Sequence, residues 1–359
     1  MNTKRIPSFQ SDFGIEVIAA LFSKKGLTNL FTRVNKIEKT LSANAAKMVL
    51  LQKDYINTID AVISFLQGKE PAFAHIICKR DHLPEADRFL HTDDLEKAFG
   101  SMGIQDKAKY IATMYLEDLS DLIKETVDDH FGFSRYAERL GRSANSFDEL
   151  YNELQKPYTF IDELLIEILV VALSVPFPGN LYTSLRCGQW IKTHYPEVKI
   201  IMGGGFANTE LRSLSDPRVF EFYDFITLDD GEAPIENLIR YITENTPAEN
   251  LKRTFLLQEG KVVYQNNKAI KDYRQGEVGT PDYTDLKLDK YISAIEVVNP
   301  MHRLWSDGRW NKLTMAHGCY WGKCTFCDIS LDYIKLYEPV AAGILCDRME
   351  EINICCKKL

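Results

Sequence analysis

Strand-like segments, each followed by a loop, recur between residues 168 and 241 and constrain the fold more than any other feature of the chain. The run Ile168–Leu173 is continuously apolar and partly β-branched, which is typical of a strand buried on both faces of a parallel sheet. Val198–Met202 and Phe225–Leu228 repeat the pattern, and a helix ending near His194 separates the first two strands. Alternating strands and helices predict an α/β domain with a doubly wound, Rossmann-like parallel sheet.

The three loops that follow these strands are candidate binding sites, because ligands bind where the carboxyl ends of parallel strands meet the loops. They span residues 174–180, 203–205 and 229–232. The glycines at 203–205 allow a ligand to approach the backbone closely, and a tight turn between strand and helix requires glycine equally. A dinucleotide-binding fingerprint is disfavoured, because GxGxxG would need glycine at position 208, where Asn208 stands.

Three of the eight cysteines lie within nine residues of one another, at Cys319, Cys324 and Cys327, with the spacing CxxxxCxxC. Thiolates are soft ligands, and three on one loop can surround a single metal centre without long-range folding. A cuboidal iron–sulfur cluster held by three cysteines leaves one iron free to bind a small molecule. The alternative is a Cys₃His zinc site that includes His317, although the second half of a usual zinc-ribbon pairing is missing.

The stretch from His317 to Asp328 resembles the cysteine loop of the radical SAM enzymes, in which three cysteines hold a [4Fe-4S] cluster and S-adenosylmethionine binds the fourth iron. The spacing departs from the commoner CxxxCxxC by one additional residue between the first two cysteines. The resemblance implies that Cys319, Cys324 and Cys327 ligate the cluster and that Phe326 lies beside the adenine. It also implies an external electron donor of the flavodoxin or ferredoxin type.

The three strand-end loops resemble those of the cobalamin-binding domain that precedes many radical SAM modules. Together the two resemblances cover roughly residues 168–328 and, more loosely, the helical region before them. They imply cobalamin as a further cofactor, without a histidine ligand below the cobalt because the chain contains no DxHxxG motif. The implied cobalamin-binding residues are Ser174, Pro176, Phe177, Gly179, Asn180, Gly203, Gly204, Gly205, Asp229, Asp230, Gly231 and Glu232.

The remaining segments complete the predicted domain organisation. A short strand is predicted at Ile6–Phe13, and residues from about 15 to 167 are predicted to form a large helical insertion. The insertion belongs to a cobalamin-binding-like α/β domain that spans residues 1–250. Residues 251–290 are predicted to form a hairpin and a linker, and residues 291–359 to begin a radical SAM (β/α) barrel.

Local patterns predict individual elements within these segments. Ser146 with Glu149 forms a capping-box pattern, which predicts a helix over Phe147–Leu154. Alternating side chains over Thr254–Tyr264, with a Glu-Gly pair at the centre, predict a β-hairpin. Near the end of the chain, Pro339 is predicted to open a final amphipathic helix.

Composition and charge exclude several classes of protein. Hydrophobic residues make up 45% of the 359-residue chain and charged residues 26%, as in ordinary globular proteins. A net charge of −8 without a basic run argues against a nucleic-acid surface, and the longest apolar stretch, Leu164–Phe177, is too short to span a bilayer. The chain begins without a secretory h-region, so cytoplasmic localisation in a reducing environment is expected, with neither nucleic-acid nor membrane partners.

These observations predict a cobalamin-binding radical SAM enzyme that cleaves S-adenosylmethionine reductively and performs radical chemistry, methyl transfer among its outcomes. The sequence identifies neither the substrate nor a catalytic residue. Only 32 residues follow Cys327, so the chain is expected to be an N-terminal fragment that lacks most of the barrel and is inactive alone. The alternative is a non-catalytic cobalamin-binding module with a vestigial or zinc-binding cysteine loop.

Overall fold

The computed structural model describes residues 21–91, 103–128, 131, 146–155, 172–281, 291–292, 313–328 and 331–356. These residues belong to two compact units. The helical unit lies within residues 11–135 and 287–310, and the sheet unit lies within residues 136–286 and 311–359. The predicted strand Ile6–Phe13 and most of the run Ile168–Leu173 fall outside the described residues. No helix in the described part of the chain is long and apolar enough to cross a membrane.

The helical unit is built from amphipathic helices, as the sequence predicts for this region. Ser23 and Ser42 cap the first two helices, each side chain accepting a hydrogen bond from a backbone N–H three residues further on. Apolar residues recur at helical spacing from Ala45 to Leu66, and the structure divides this stretch between two helices at Leu51. The helices are α1 (Lys24–Val34), α2 (Ala43–Leu50), α3 (Gln52–Leu66), α4 (Ala74–Cys78) and α5 (Ile104–Thr126).

Helices α3 and α5 bring large side chains together in the core of this unit. Tyr55 and Ile59 of α3 and Tyr115 and Leu119 of α5 are fully buried. The rings of Tyr55 and Tyr115 lie 5.0 Å apart, and the Tyr115 hydroxyl donates a hydrogen bond to the Tyr55 carbonyl at 2.9 Å. Burial of each such side chain stabilises the fold by about 1.5–3 kcal/mol, so the contact between α3 and α5 contributes strongly to this unit.

Five strands form one mixed sheet in the order β1-β2-β3-β4-β5. The first three are parallel neighbours, with Leu173 opposite Met202 and Met202 opposite Ile226. This parallel pairing confirms the α/β class that the sequence predicts. The strands are β1 (Ala172–Ser174), β2 (Ile201–Gly203), β3 (Phe225–Thr227), β4 (Thr254–Gln258) and β5 (Lys261–Gln265).

The sheet is mixed rather than wholly parallel, because the predicted hairpin joins it. Strand β4 pairs antiparallel with β3, and β5 pairs antiparallel with β4. The hairpin turn has Glu259 at φ 48° and Gly260 at φ 74°, and two left-handed residues are typical of the type I′ turn that connects tight hairpins. The turn chemistry is local and was readable from the sequence, whereas the pairing partner of β4 was not.

The helices of the sheet unit follow the predicted order. Ser146 caps the helix Phe147–Leu154, its side chain accepting a hydrogen bond from the backbone N–H of Glu149 at 3.3 Å, which confirms the cap and the bounds. Ile201, Phe225 and Leu256 on the strands form a buried hydrophobic cluster with Leu238 and Leu251. The helices are α6 (Phe147–Leu154), α7 (Leu181–His194), α8 (Gly205–Glu210) and α9 (Glu232–Glu244).

The C-terminal part of the sheet unit carries a second, two-stranded sheet. Strands β6 (Ala316–His317) and β7 (Glu338–Pro339) pair antiparallel on either side of the cysteine loop and the short helix α10 (Asp332–Lys335). The final helix, α11, spans Ala342–Cys356. The prediction that Pro339 opens this helix is wrong, since that proline lies in β7; proline lacks an N–H, which a short strand at a sheet edge tolerates.

Candidate functional site

The three strand-end loops lie together at the carboxyl edge of β1, β2 and β3. The backbone N–H of Val175 donates to the carbonyl of Gly203 at 2.7 Å, and the N–H of Phe206 donates to the carbonyl of Val175 at 2.9 Å. The N–H of Asp229 donates to the side-chain oxygen of Asn208 at 2.7 Å. The structure therefore brings together the residue ranges 174–180, 203–210 and 228–232 that parallel topology places on one edge.

Close packing within the chain explains the glycine turn at residues 203–205. Gly204 has φ +100°, and a Cβ at this position would lie 2.8 Å from the Ser174 Oγ and from the backbone N and O of Val175. A Cβ on Gly205 would lie 2.7 Å from the carbonyl oxygen of Pro176. The loop after β1 thus presses directly on the loop after β2. The sequence left two roles open for these glycines. The contacts with Ser174, Val175 and Pro176 support the tight turn, and contact with a cofactor stays a prediction.

Two arginines hold the loop after β3, and sequence analysis did not single them out. Asp229 has a left-handed φ of 63°, and its carboxylate pairs with Arg212 and lies 3.8 Å from the Arg253 side chain. Arg253 also donates to the carbonyls of Leu228 at 3.2 Å and Asp230 at 2.9 Å. These contacts compensate the strained Asp229 backbone and fix the course of the loop.

A second carboxylate, that of Asp272, completes this network. The Arg253 Nη2 lies 2.6 Å from the Asp272 Oδ1, and the Lys252 Nζ lies 3.2 Å from the Asp272 Oδ2. Burial by itself would raise the pKa of Asp272, but hydrogen bonds and charge from Arg253 and Lys252 hold that pKa below its ordinary value. Asp272 therefore stays ionised and anchors Arg253, which in turn anchors the loop after β3.

His317 connects this edge to the segment that carries the cysteines. Its Nε2 lies 3.1 Å from the Oδ2 of Asp230. Burial raises the pKa of Asp230, His317 opposes the rise, and the neighbouring Glu232 carboxylate adds to it. Asp230, which the sequence marks as a cofactor contact, thus lies within ion-pair distance of a residue two positions before Cys319, although the two side chains are not aligned as a hydrogen bond.

The base of the cysteine loop is tightly built. Gly318 has φ +75°, and a Cβ there would lie 1.3 Å from the carbonyl oxygen of Leu336, so the position admits no side chain. The backbone N–H of Cys319 donates to the carbonyl of Ile334 at 3.2 Å. Together with the pairing of β6 and β7, these contacts hold the start of the loop against the segment that follows it.

The cysteine thiols differ in their surroundings. The backbone N–H groups of Gly322 and then Trp321 lower the pKa of Cys319, whose Sγ lies 3.5 Å from the Gly322 nitrogen. Cys324 is partly buried and Cys327 is exposed, and the N–H of Cys327 donates to the Cys324 carbonyl at 3.3 Å across a tight turn. The lowered pKa of Cys319 favours its thiolate form, which is the form that binds metals.

The three thiols do not converge on one point in this structure. Across the described ranges, no group of three or more His, Cys, Asp or Glu side chains is arranged to hold a metal ion. The donor set nevertheless fits an iron–sulfur cluster in kind and in number, because three thiols share one loop and Cys319 already receives thiolate-stabilising N–H groups. Their role as ligands stays a prediction.

Exposed aromatic side chains lie next to the cysteines in the sequence of this loop. Phe326, predicted to lie beside the adenine, is 86% exposed, and Tyr320 and Trp321 are exposed as well. The Tyr320 ring meets the Tyr337 ring edge-on at 5.9 Å, and the Lys323 ammonium lies 5.6 Å from the centre of the Trp321 ring. Exposed aromatic groups of this density are typical of binding surfaces rather than of an ordinary loop.

Comparison with known proteins identifies no relative of this chain. No protein-family model matches it. No curated protein and no solved structure matches it either. A functional assignment therefore depends on the residues and contacts of the sheet edge and the cysteine loop.

Proposed function

We propose that this chain binds a [4Fe-4S] cluster, S-adenosylmethionine and cobalamin, and that it supports radical SAM chemistry. The observation that carries the proposal is a loop with three thiols, Cys319, Cys324 and Cys327, whose base contacts the carboxyl edge of an α/β sheet. Soft donors of this number suit an iron–sulfur cluster with one iron open to a small molecule. The edge of a parallel sheet is where α/β proteins bind their ligands.

The cysteine loop would hold the cluster through its three thiolates. When bound, the cluster supplies one electron for the cleavage of S-adenosylmethionine at its sulfonium. The chain contributes backbone N–H groups at Trp321 and Gly322 that favour the Cys319 thiolate, and Phe326 offers an exposed ring on which an adenine can stack. The protein's own work is to bind and orient these groups.

The sheet edge would hold the cobalamin through the residue ranges 174–180, 203–205 and 229–232. Phe177 is exposed there and offers an apolar surface, while Gly179 and Asn180 form a short 3₁₀ turn before α7. The loop after β3 is prearranged by Arg253, so binding would not require this segment to be ordered first.

A zinc site formed by the three thiols and His317 is less well supported. The Nε2 of His317 lies 3.1 Å from the Asp230 carboxylate, and His317 belongs to β6 rather than to the cysteine loop. A structural zinc site needs four ligands gathered in a tetrahedron. Only the Nδ1 of His317 would remain for a zinc ion, and the second half of a usual zinc-ribbon pairing is missing from the sequence.

Anaerobic reconstitution with iron and sulfide tests the proposal. We expect about four irons per chain and a broad thiolate-to-iron absorption band. Replacing Cys319, Cys324 or Cys327 by alanine should abolish both. Cys346→Ala is the matched control, because Cys346 is also an exposed thiol in the sheet unit but lies on α11. Zinc as the sole metal at one per chain, or iron binding that survives all three replacements, would contradict the proposal.

A further inference from the structure

We infer that His317 and Asp230 form a positioning contact that couples the cysteine loop to the loop after β3. The two residues lie far apart in sequence, and the His317 Nε2 and Asp230 Oδ2 lie 3.1 Å apart. His317 is the last residue of β6, and Gly318 alone separates it from Cys319. Asp230 belongs to the segment 229–232 predicted to contact cobalamin. The inference rests on the proposed function in one respect, namely that the cysteine loop is a cluster loop.

The Asp230 end of the contact is held from its own side. The carbonyl of Asp230 accepts a hydrogen bond from Arg253 at 2.9 Å, and the preceding residue, Asp229, is fixed by Asn208 at 2.7 Å and by its pairing with Arg212. The loop therefore has one defined course after β3. A displacement of the Asp230 backbone would have to break these contacts.

The His317 end is held in the same way. His317 pairs with Glu338 in the register of β6 and β7, and the N–H of Cys319 donates to the Ile334 carbonyl at 3.2 Å. The missing side chain of Gly318 lets the Leu336 carbonyl pass close to the backbone. Because both ends are restrained, a contact between them transmits orientation from one loop to the other rather than being absorbed by free motion.

Other contacts of the C-terminal segment have a different destination. The Glu338 carboxylate accepts a hydrogen bond from the N–H of Gln275 at 3.1 Å, and Arg348 donates to the carbonyls of Gln275, at 2.8 Å, and Val278. These bonds hold β7 and α11 against the segment that follows the hairpin. The His317–Asp230 contact differs because it reaches the carboxyl edge of β3, next to the strand-end loops.

The consequence is a new role for Asp230. A carboxylate already engaged by His317 acts as a positioning residue, which sets where Cys319 stands relative to the sheet edge. Loss of the contact should leave the three thiols intact and change the orientation of the loop that carries them. We therefore expect the backbone order and the orientation of the cysteine loop to change, while the amount of metal bound stays the same.

Hydrogen exchange of the protein as purified, with no iron added, tests the contact itself. Asp230→Asn should raise exchange in residues 316–320, and His317→Ala should raise exchange in residues 228–231, each by roughly two- to tenfold, as for loss of a partly exposed charged contact. In each of the two segments, exchange in the double variant should rise no more than in the single variant with the larger effect, because both changes remove the same contact. Glu249→Gln is the matched control: it neutralises an exposed carboxylate of the sheet unit, in the short turn before β4, and should leave exchange in residues 316–320 unchanged.

Reconstitution of the same variants separates this inference from the proposed function. If the unmodified chain takes up iron, His317→Ala and Asp230→Asn should retain its iron content while the electron paramagnetic resonance spectrum of the reduced cluster shifts. If it takes up no iron but the reciprocal exchange effects are found, the proposed function fails and the positioning contact stands. Unchanged exchange across the partner loop in both single variants, or fully additive effects in the double variant, would overturn the contact whatever the iron content.

Discussion

At the scale of single residues, burial decides the behaviour of Asp118 on α5. The side chain is fully buried, and its Oδ2 accepts hydrogen bonds from the Ala86 N–H at 3.2 Å and the Tyr55 hydroxyl at 3.4 Å. Burial raises the pKa of Asp118 to about 6, although N–H groups of Ala86 and Arg88 act in the opposite direction. At pH values between about 4 and about 6, the Asp118 carboxyl is therefore protonated in the folded state and ionised in the unfolded state.

The pKa of Asp118 predicts the sign of a pH effect on stability. Because the folded-state pKa is raised, the contribution of Asp118 to stability is fully present below the unfolded-state value near 4 and is lost, by about 3 kcal/mol, as the pH rises through about 6. Asp118→Asn should remove this fall and flatten the pH profile of the helical unit. Hydrogen exchange of α5 amides between pH 4 and pH 7.5, corrected for intrinsic rates, measures it; an equal slope in both proteins would contradict the assignment.

Gly204 is the second residue whose role the tertiary structure decides. Its φ is positive, and an added Cβ would lie 2.8 Å from the backbone of Val175. Alanine at this position would therefore have both a strained backbone and a steric clash. We expect Gly204→Ala to destabilise the sheet unit by about 2–4 kcal/mol in denaturant unfolding. Gly260→Ala is the matched control, because Gly260 also has a positive φ of 74° but no atom lies within 4 Å of its Cβ position.

The difference between these two variants isolates the crowding from the backbone strain. Gly260→Ala should cost only about 1–2 kcal/mol. Equal losses would show that Val175 yields readily and that the turn has room for a ligand after all. A bulkier replacement at Gly204 would not report on cofactor binding, since it disturbs the fold first.

At the scale of elements, α6 shows how a cap and a tertiary contact share one helix. Ser146 caps its N-terminus, and Arg218 lies 5.1 Å from the centre of the Phe147 ring and 5.0 Å from that of the Tyr151 ring. Arg218 also pairs with Asp148 at 2.6 Å. A helix of this length is marginal by itself, so the stacked guanidinium and the cap together keep it formed.

The cap makes a quantitative prediction. Ser146→Ala should weaken α6 by about 1 kcal/mol, because the N–H of Glu149 loses its partner. Hydrogen exchange in residues 147–154 should rise by roughly fivefold, since about 1 kcal/mol corresponds to that factor. Ser146→Asn keeps a capping oxygen and should exchange as the unmodified chain does. Exchange that rises equally in both variants would show that the side-chain oxygen is not what protects the helix.

At the scale of the whole molecule, the sheet unit contains every residue to which the proposed function assigns a role. The strand-end loops, the cysteine loop and the contact between His317 and Asp230 all lie within residues 136–286 and 311–359. The helical unit, in contrast, has a core of buried tyrosines and carboxylates and is assigned no part in binding. The iron experiments therefore address one unit, and the pH experiment on Asp118 addresses the other.

Local chemistry let the sequence by itself determine the class of the fold and several elements within it. The apolar runs predicted the strands of a parallel α/β sheet, Ser146 with Glu149 predicted the cap and bounds of α6, and the Glu-Gly pair predicted the hairpin turn. Each of these signals depends on residues within a few positions of one another, because helix caps and turns are set by nearby backbone groups. The cysteine spacing is a signal of the same kind.

Only the tertiary structure decided which distant residues meet. It paired β4 with β3, brought Val175 against Gly204, anchored the Asp229 loop with Arg253 and joined Asp230 to His317. Hydrophobic periodicity in the sequence does not predict such contacts, because each depends on how the whole unit packs around its core. The physical reason is that strand pairing and side-chain contacts between remote segments are selected by buried area and electrostatic fit, which appear only once the chain has folded.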